Sequence, residues 1–190
     1  MFSVTVKRVR LGIGFSFPAV LALVLLTGGA DTAQLLIMLL CSALHECGHL
    51  AAMFIFRRRP EAVTLYGGGI RITPPRGRMD SFGRDITVLL AGCAVNFLLA
   101  GAAYPYKGTG DFVRTNLFLG VFNLLPFGYF DGGRVLEMLC AGRAAKTARL
   151  VFFLLGAAYI ALTALSGNVS LSFLVTFCFI AAEEISAEKE

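Results

Sequence analysis

Long apolar runs, each bounded by a Gly, Pro or charged cluster, dominate the chain and predict helices that cross a bilayer. Six are placed: Ile13 to Thr27, Ala33 to Phe56, Ile86 to Tyr104, Phe112 to Phe130, Leu150 to Leu165, and Leu171 to Ala182. A spanning helix needs about 20 apolar residues, and the longer of these runs meet that requirement. One stretch has a different rhythm. Val63-Thr64-Leu65-Tyr66 and Ile70-Arg71-Ile72-Thr73 flank Gly67-Gly68-Gly69, which predicts two strands around a glycine turn, ended by Pro74-Pro75. The expected fold class is an all-α polytopic membrane protein of about six transmembrane helices, with a short β-hairpin between the second and third.

Composition supports this class. The chain of 190 residues is 57% hydrophobic and 15% charged, too few charges for a soluble domain. Its formal charge of +5 does not point to nucleic acid, because Lys and Arg gather at the ends of the apolar runs instead of along one face. The clusters Lys7-Arg8-Arg10, Arg57-Arg58-Arg59, and Arg134 with Arg143, Lys146 and Arg149 mark alternate ends, which places both termini in the cytoplasm. The basic start and first apolar run lack a small-residue cleavage site, so they are read as a retained helix. The five cysteines, Cys41, Cys47, Cys93, Cys140 and Cys178, show no CxxC spacing and are expected to be small buried hydrophobes. Asn168-Val169-Ser170 matches a glycosylation pattern by chance. No repeat or linker divides the chain, so a single integral domain over residues 1–190 is expected, with a polar, solvated tail from Glu183.

The chemistry lies in His45-Glu46-Cys47-Gly48-His49. On a helix, an i, i+4 spacing puts both imidazoles on one face, close enough to share a zinc ion. Glu46, one position on, is left to activate water instead of binding the metal. The chain has only two histidines; two placed at random would fall four apart with a Glu next in roughly 0.05% of cases. An ionisable triplet inside a membrane segment also demands partners.

A catalytic zinc takes a third protein ligand and keeps an open position. Asp31, Asp80, Asp85 and Asp111 lie in loops or at segment ends, which leaves Asp131 and Glu137. Asp131 closes Asn123-Leu124-Leu125-Pro126-Phe127-Gly128-Tyr129-Phe130-Asp131-Gly132-Gly133, where Pro and Gly interrupt the helix, and irregular backbone at membrane depth usually lines a site. In the inferred topology the second and fourth segments both run inward. At 1.5 Å per residue the histidines then lie about 18–24 Å below the outer end of theirs, on the side where Asp131 ends its own.

With these residues the chain resembles the site-2 proteases, zinc enzymes that cut substrates within the membrane. His45 to His49 matches the family's HExxH. Asn123, Pro126, Asp131 and Gly132 match its NxxPxxxxDG, and Gly92 and Asn96 match its GxxxN, with Cys93 where a proline is usual. The match runs from Ile37 to Gly133, about half of the chain. It implies one catalytic zinc ion held by His45, His49 and Asp131, with Glu46 as the base. It implies that Asn96 and Asn123 orient substrate or stabilise an oxyanion, unless they only bond helices together. The hairpin around Gly67, Gly68 and Gly69 is similar to the family's membrane-associated hairpin, whose edge would pair with a substrate unwound from its helix.

The layout looks like the compact bacterial branch, which includes the sporulation-factor processing protease. Its nucleotide-sensing domain is not expected after Ala182, so control would rest on a membrane partner, homo-oligomerisation or substrate presentation. The implied function is regulated intramembrane proteolysis of a membrane-associated protein substrate in the lipid bilayer of a bacterial cell membrane. The alternative from another class is a non-catalytic metal-binding or transport membrane protein.

Overall fold

The computed structural model describes residues 2–6, 9–14, 31–58, 60–66, 69–73, 81–140, 143–168, 170, 173–178 and 180–181. Two compact units follow one another along the chain, Met1–Val121 and Phe122–Glu190.

In the first unit, helix α1 (Thr32–Ile55) and helix α2 (Phe82–Lys107) are the main packed pair. Helix α1 starts at Asp31, whose carboxylate accepts a hydrogen bond from the Ala33 N–H at 3.3 Å, one of the orphan donors of a first turn. It stops at Arg57, which takes a positive φ of 56°, and the Arg58 N–H returns to the Met53 carbonyl at 2.8 Å. The Arg58 guanidinium pairs with Asp85 at the start of α2, and Arg84 lies over the Phe56 ring. Asp85 is therefore part of the clasp between the two helix ends. Midway, Gly48 allows close approach: a Cβ there would stand 2.7 Å from the Ala91 carbonyl oxygen and 2.9 Å from a Val95 methyl. Small residues at such crossings are the usual means of packing helices whose other faces are apolar. Helix α2 ends at Gly108, in the left-handed region with φ 56°, and helix α3 (Asp111–Asn123) follows.

The same unit contains a four-stranded sheet, ordered β1 (Phe2–Val6), β2 (Val9–Ile13), β3 (Ala62–Tyr66) and β4 (Gly69–Thr73). Strands β1/β2 and β3/β4 pair antiparallel, and β2 pairs parallel with β3, Leu11 opposite Val63 and Ile13 opposite Leu65. The all-α expectation is thus corrected: the chain is mostly helical, with a small sheet to which the N-terminal residues contribute half the strands. Ile13, given as the start of the first apolar run, is the last residue of β2. Val4, Leu11 and Ile13 alternate with Ser3, Thr5, Arg10 and Gly12 as strands do, but Lys7 and Arg8 resemble the basic flank of a spanning helix. Val4, Leu11 and Ile13 are exposed, whereas Gly12 between the last two is buried. The first run from Phe15 on, Gly67, Gly68, the Pro74-Pro75 pair and the tail lie outside the described residues.

In the second unit, the fourth apolar run is interrupted where its Pro and Gly imply a break. After Asn123, residues 124–130 form bends and turns, and helix α4 (Asp131–Leu139) begins at the carboxylate. Pro126 supplies no N–H for a helical ladder, and Gly132 and Gly133 leave room for the returning chain. A Cβ on Gly132 would collide with the Leu124 carbonyl, and one on Gly133 with the Phe127 carbonyl. Helix α5 (Arg143–Leu165) completes this unit, with residues 173–178 also helical. Phe127 packs on Phe153 with ring centroids 4.8 Å apart, and Phe177 lies against Gly156 and Phe153. Among the described residues, three helices are long and apolar enough to cross a membrane: Thr32–Ile55, Phe82–Tyr106 and Ala144–Leu165.

Candidate metal centre

Helix α1 presents His45 and His49 on the face it turns toward α2. Both rings are nearly enclosed, 4% and 8% exposed, because Gly92 of α2 has no side chain. A Cβ there would sit 2.7 Å from both Cε1 and Nε2 of His45 and would also collide with Nε2 of His49. The GxxxN match marked Gly92 in the sequence; what it does not convey is that this glycine makes the space the imidazoles occupy.

Each ring is held by its Nδ1. His49 Nδ1 lies 2.7 Å from the Val88 carbonyl oxygen, which only accepts, so this nitrogen carries the proton. His45 Nδ1 lies 2.6 Å from Asn96 Oδ1 and donates likewise. With both rings neutral, the two Nε2 atoms are lone pairs, and they face one another at 3.1 Å. Two lone pairs at that separation repel unless a cation stands between them. With Zn–N bonds of 2.0–2.1 Å, two corners of a tetrahedral site lie about 3.3 Å apart. The pair therefore fits zinc, and its Nδ1–H partners are the kind that fix metal-binding imidazoles.

Glu46 is half-buried on the same helix, one residue on from His45, and Cys47 is exposed. Asn96 is fully buried; its Oδ1 serves His45, and its amide donates to Asn116 Oδ1 at 2.8 Å. The structure thus brings together His45, His49 and Asn96 in the first unit, with Gly69 as the first residue of β4. Sequence reasoning missed Gly48, Val88 and Asn116. A carbonyl leaves no trace in a motif, and Asn116 lies outside every pattern.

In the second unit, Asp131 opens helix α4 and is 9% exposed. A carboxylate in a first turn is favoured by the free N–H groups there. Asn123 is half-buried at the end of α3. Glu137, the other candidate acid, pairs with Arg149 of α5, and Arg149 Nε donates to the Pro126 carbonyl at 3.2 Å. Arg149 thus ties the 124–130 segment and α4 to α5, a task its place in a basic cluster did not suggest. Arg149→Met removes the donor from that carbonyl. We expect a loss of about 1–3 kcal/mol, read as a lower thermal midpoint with zinc-free protein; an unchanged midpoint would show the tie to be incidental.

No protein-family model matches the chain. Proteins from two strains of Mycobacterium tuberculosis, Erdman and H37Rv, provisionally named zinc metalloprotease Rip3, are each 32% identical over 195 aligned positions, which cover 88% of this chain and 48% of the relative. The chain thus spans about half the length of the curated relatives it matches. The solved structure of the site-2 protease from Methanocaldococcus jannaschii superposes with a TM-score of 0.65 at 20% identity, over 96% of this chain and 95% of the other. The chain therefore has the fold of the site-2 protease structure, is similar in sequence to zinc metalloproteases by name, and carries a histidine pair arranged for zinc.

Proposed function

We propose that the chain is an intramembrane zinc metalloprotease that hydrolyses a peptide bond in or near a transmembrane segment of a membrane-associated protein. The observation that carries the proposal is the facing pair of Nε2 lone pairs on His45 and His49. Asp131 is the third ligand; the three side chains offer one donor atom each, and two imidazoles with one carboxylate suit a catalytic zinc that keeps a coordination position open. Bound zinc supplies Lewis acidity toward water and toward the scissile carbonyl. Glu46 takes a proton from the attacking water on its carboxylate and returns it to the leaving amine nitrogen. The α1–α2 contact keeps bulk water from the imidazole edges, and Asn96 holds His45. Asn123 orients the substrate backbone.

Substrate enters as an extended strand along β4, close in sequence to Gly67, Gly68 and Gly69. In support, β4 is an edge of the described sheet and lies against α1. The outward apolar residues Val4, Leu11 and Ile13 suit a sheet lying against lipid. The chain sits as a multi-pass protein of about six spans in a bacterial cell membrane with both termini cytoplasmic. Arg57 and Arg58 closing α1 support that orientation. A regulatory membrane partner or a second copy controls access.

The test is zinc analysis and a cleavage assay on purified parent and Asp131→Asn, with a membrane-spanning peptide as substrate. The parent should retain one zinc and cleave; the variant should hold zinc at least about tenfold more weakly. Parent protein that neither retains zinc nor cleaves would end the proposal, and equal zinc affinity in the variant would remove Asp131 from the ligand set.

A further inference from the structure

Behind His45 runs a chain of buried polar groups that ends on a third helix. Asn96 and Asn116 are both fully buried. The Asn116 amide donates to the Phe112 carbonyl at 2.9 Å and lies 3.1 Å from Cys41 Sγ. A backbone carbonyl has no proton to give, so the amide orientation of Asn116 is settled there. Its Oδ1 must then face Asn96, where it accepts the Asn96 amide at 2.8 Å. That amide also approaches the Cys41 carbonyl, at 3.4 Å, again an acceptor only. With both of its neighbours on that side being acceptors, Asn96 must turn Oδ1 toward His45, which it meets at 2.6 Å. As a neutral ring, His45 consequently carries its proton on Nδ1, with Nε2 unprotonated.

We infer that Asn116, a residue in no motif, is a positioning residue for the metal ligand His45. Through Asn96 it dictates which imidazole nitrogen is protonated, with the Phe112 carbonyl of α3 as the fixed end of the relay. The inference rests on the metal-site reading and deepens it. It assigns α3 a task in the first unit beyond packing: each member can turn only one way because the next is already committed. His49 makes a built-in comparison, since its Nδ1 is held by the Val88 carbonyl and not by an asparagine.

The chain's two histidines make the test direct. The metal-free chain of 190 residues in detergent is labelled with ¹⁵N-histidine, and the ring nitrogens are read by NMR; zinc affinity is then measured by competition with a chelator. The parent should show both rings with a protonated Nδ1 and an unprotonated Nε2. Asn116→Leu should leave the His49 signals in place, mix the two tautomers of His45, and weaken zinc binding about tenfold or more. Asn116→Ser, whose hydroxyl can turn back to the Phe112 carbonyl and is too short to reach Asn96, keeps the helix intact and should give the same pattern. Unchanged His45 signals and zinc affinity in both variants would overturn the inference. So would equal disturbance of both histidines, because that is loosened packing and not a relay. The spectra need no metal, so a parent that binds no zinc would refute the protease reading while leaving the tautomer result to be judged by itself.

Discussion

Glu46→Gln is expected to keep the parent's zinc content while slowing peptide hydrolysis by about 10²–10⁴-fold, the usual share of a general base. The substitution is isosteric and removes only the ability of the side chain to take a proton. Glu46 lies beside His45 on α1 and is half-buried, so a neutral amide there does not disturb the Nδ1 partners of either histidine. Zinc content by elemental analysis and cleavage of a membrane-spanning peptide are measured on the same preparation. Hydrolysis at the parent's rate would rule out Glu46 as the base. Loss of zinc along with activity would show that the carboxylate supports the metal instead. If the chain moved ions and cleaved nothing, the variant would alter ion uptake into vesicles, and the parent would show no proteolysis to lose.

Gly92→Ala should have an effect as large without replacing a ligand. The added methyl carbon would fall on the edges of both imidazoles, against Nε2 and Cε1 of His45 and Nε2 of His49, where the lone pairs must converge. The rings cannot retreat without breaking the bonds to Asn96 and Val88. We expect zinc retention to fall from one ion per chain to near none, and activity with it. Gly101→Ala, two and a half turns along the same helix, is the control: nothing lies within 4 Å of its added carbon, and it should match the parent in zinc content and fold. Full zinc retention in Gly92→Ala would mean that the helices separate easily here and that the close approach is not what shapes the site.

These two substitutions also show what a linear reading can and cannot deliver. The histidine pair with its glutamate was legible because the helical period alone brings i and i+4 together, and no other part of the fold is needed to see it. Long apolar runs likewise announced α1, α2 and α5. The sheet was half-missed, since alternation in Val4, Leu11 and Ile13 was overridden by the basic residues between the strands, which mimic the flank of a spanning helix. Asp131 was picked out, but as the end of a helix, whereas it begins one; Pro126, Gly132 and Gly133 signalled the break without showing that the chain restarts at once. The roles of Val88, Cys41 and Asn116 were invisible, because they depend on which residues from separate helices meet, and no local pattern encodes that.

The parallel pairing of β2 with β3 has a consequence for how the protein is made. Residues 14–61 separate the two strands, and at about 5–20 residues per second their synthesis takes several seconds, during which the β1–β2 ribbon has an open edge. Helix α1, with both histidines, is delivered in that interval. The β1–β2 ribbon therefore acts as a latch that shuts after the helix with the histidine pair has arrived, and chains caught earlier in translation would expose a strand ready to join the wrong neighbour.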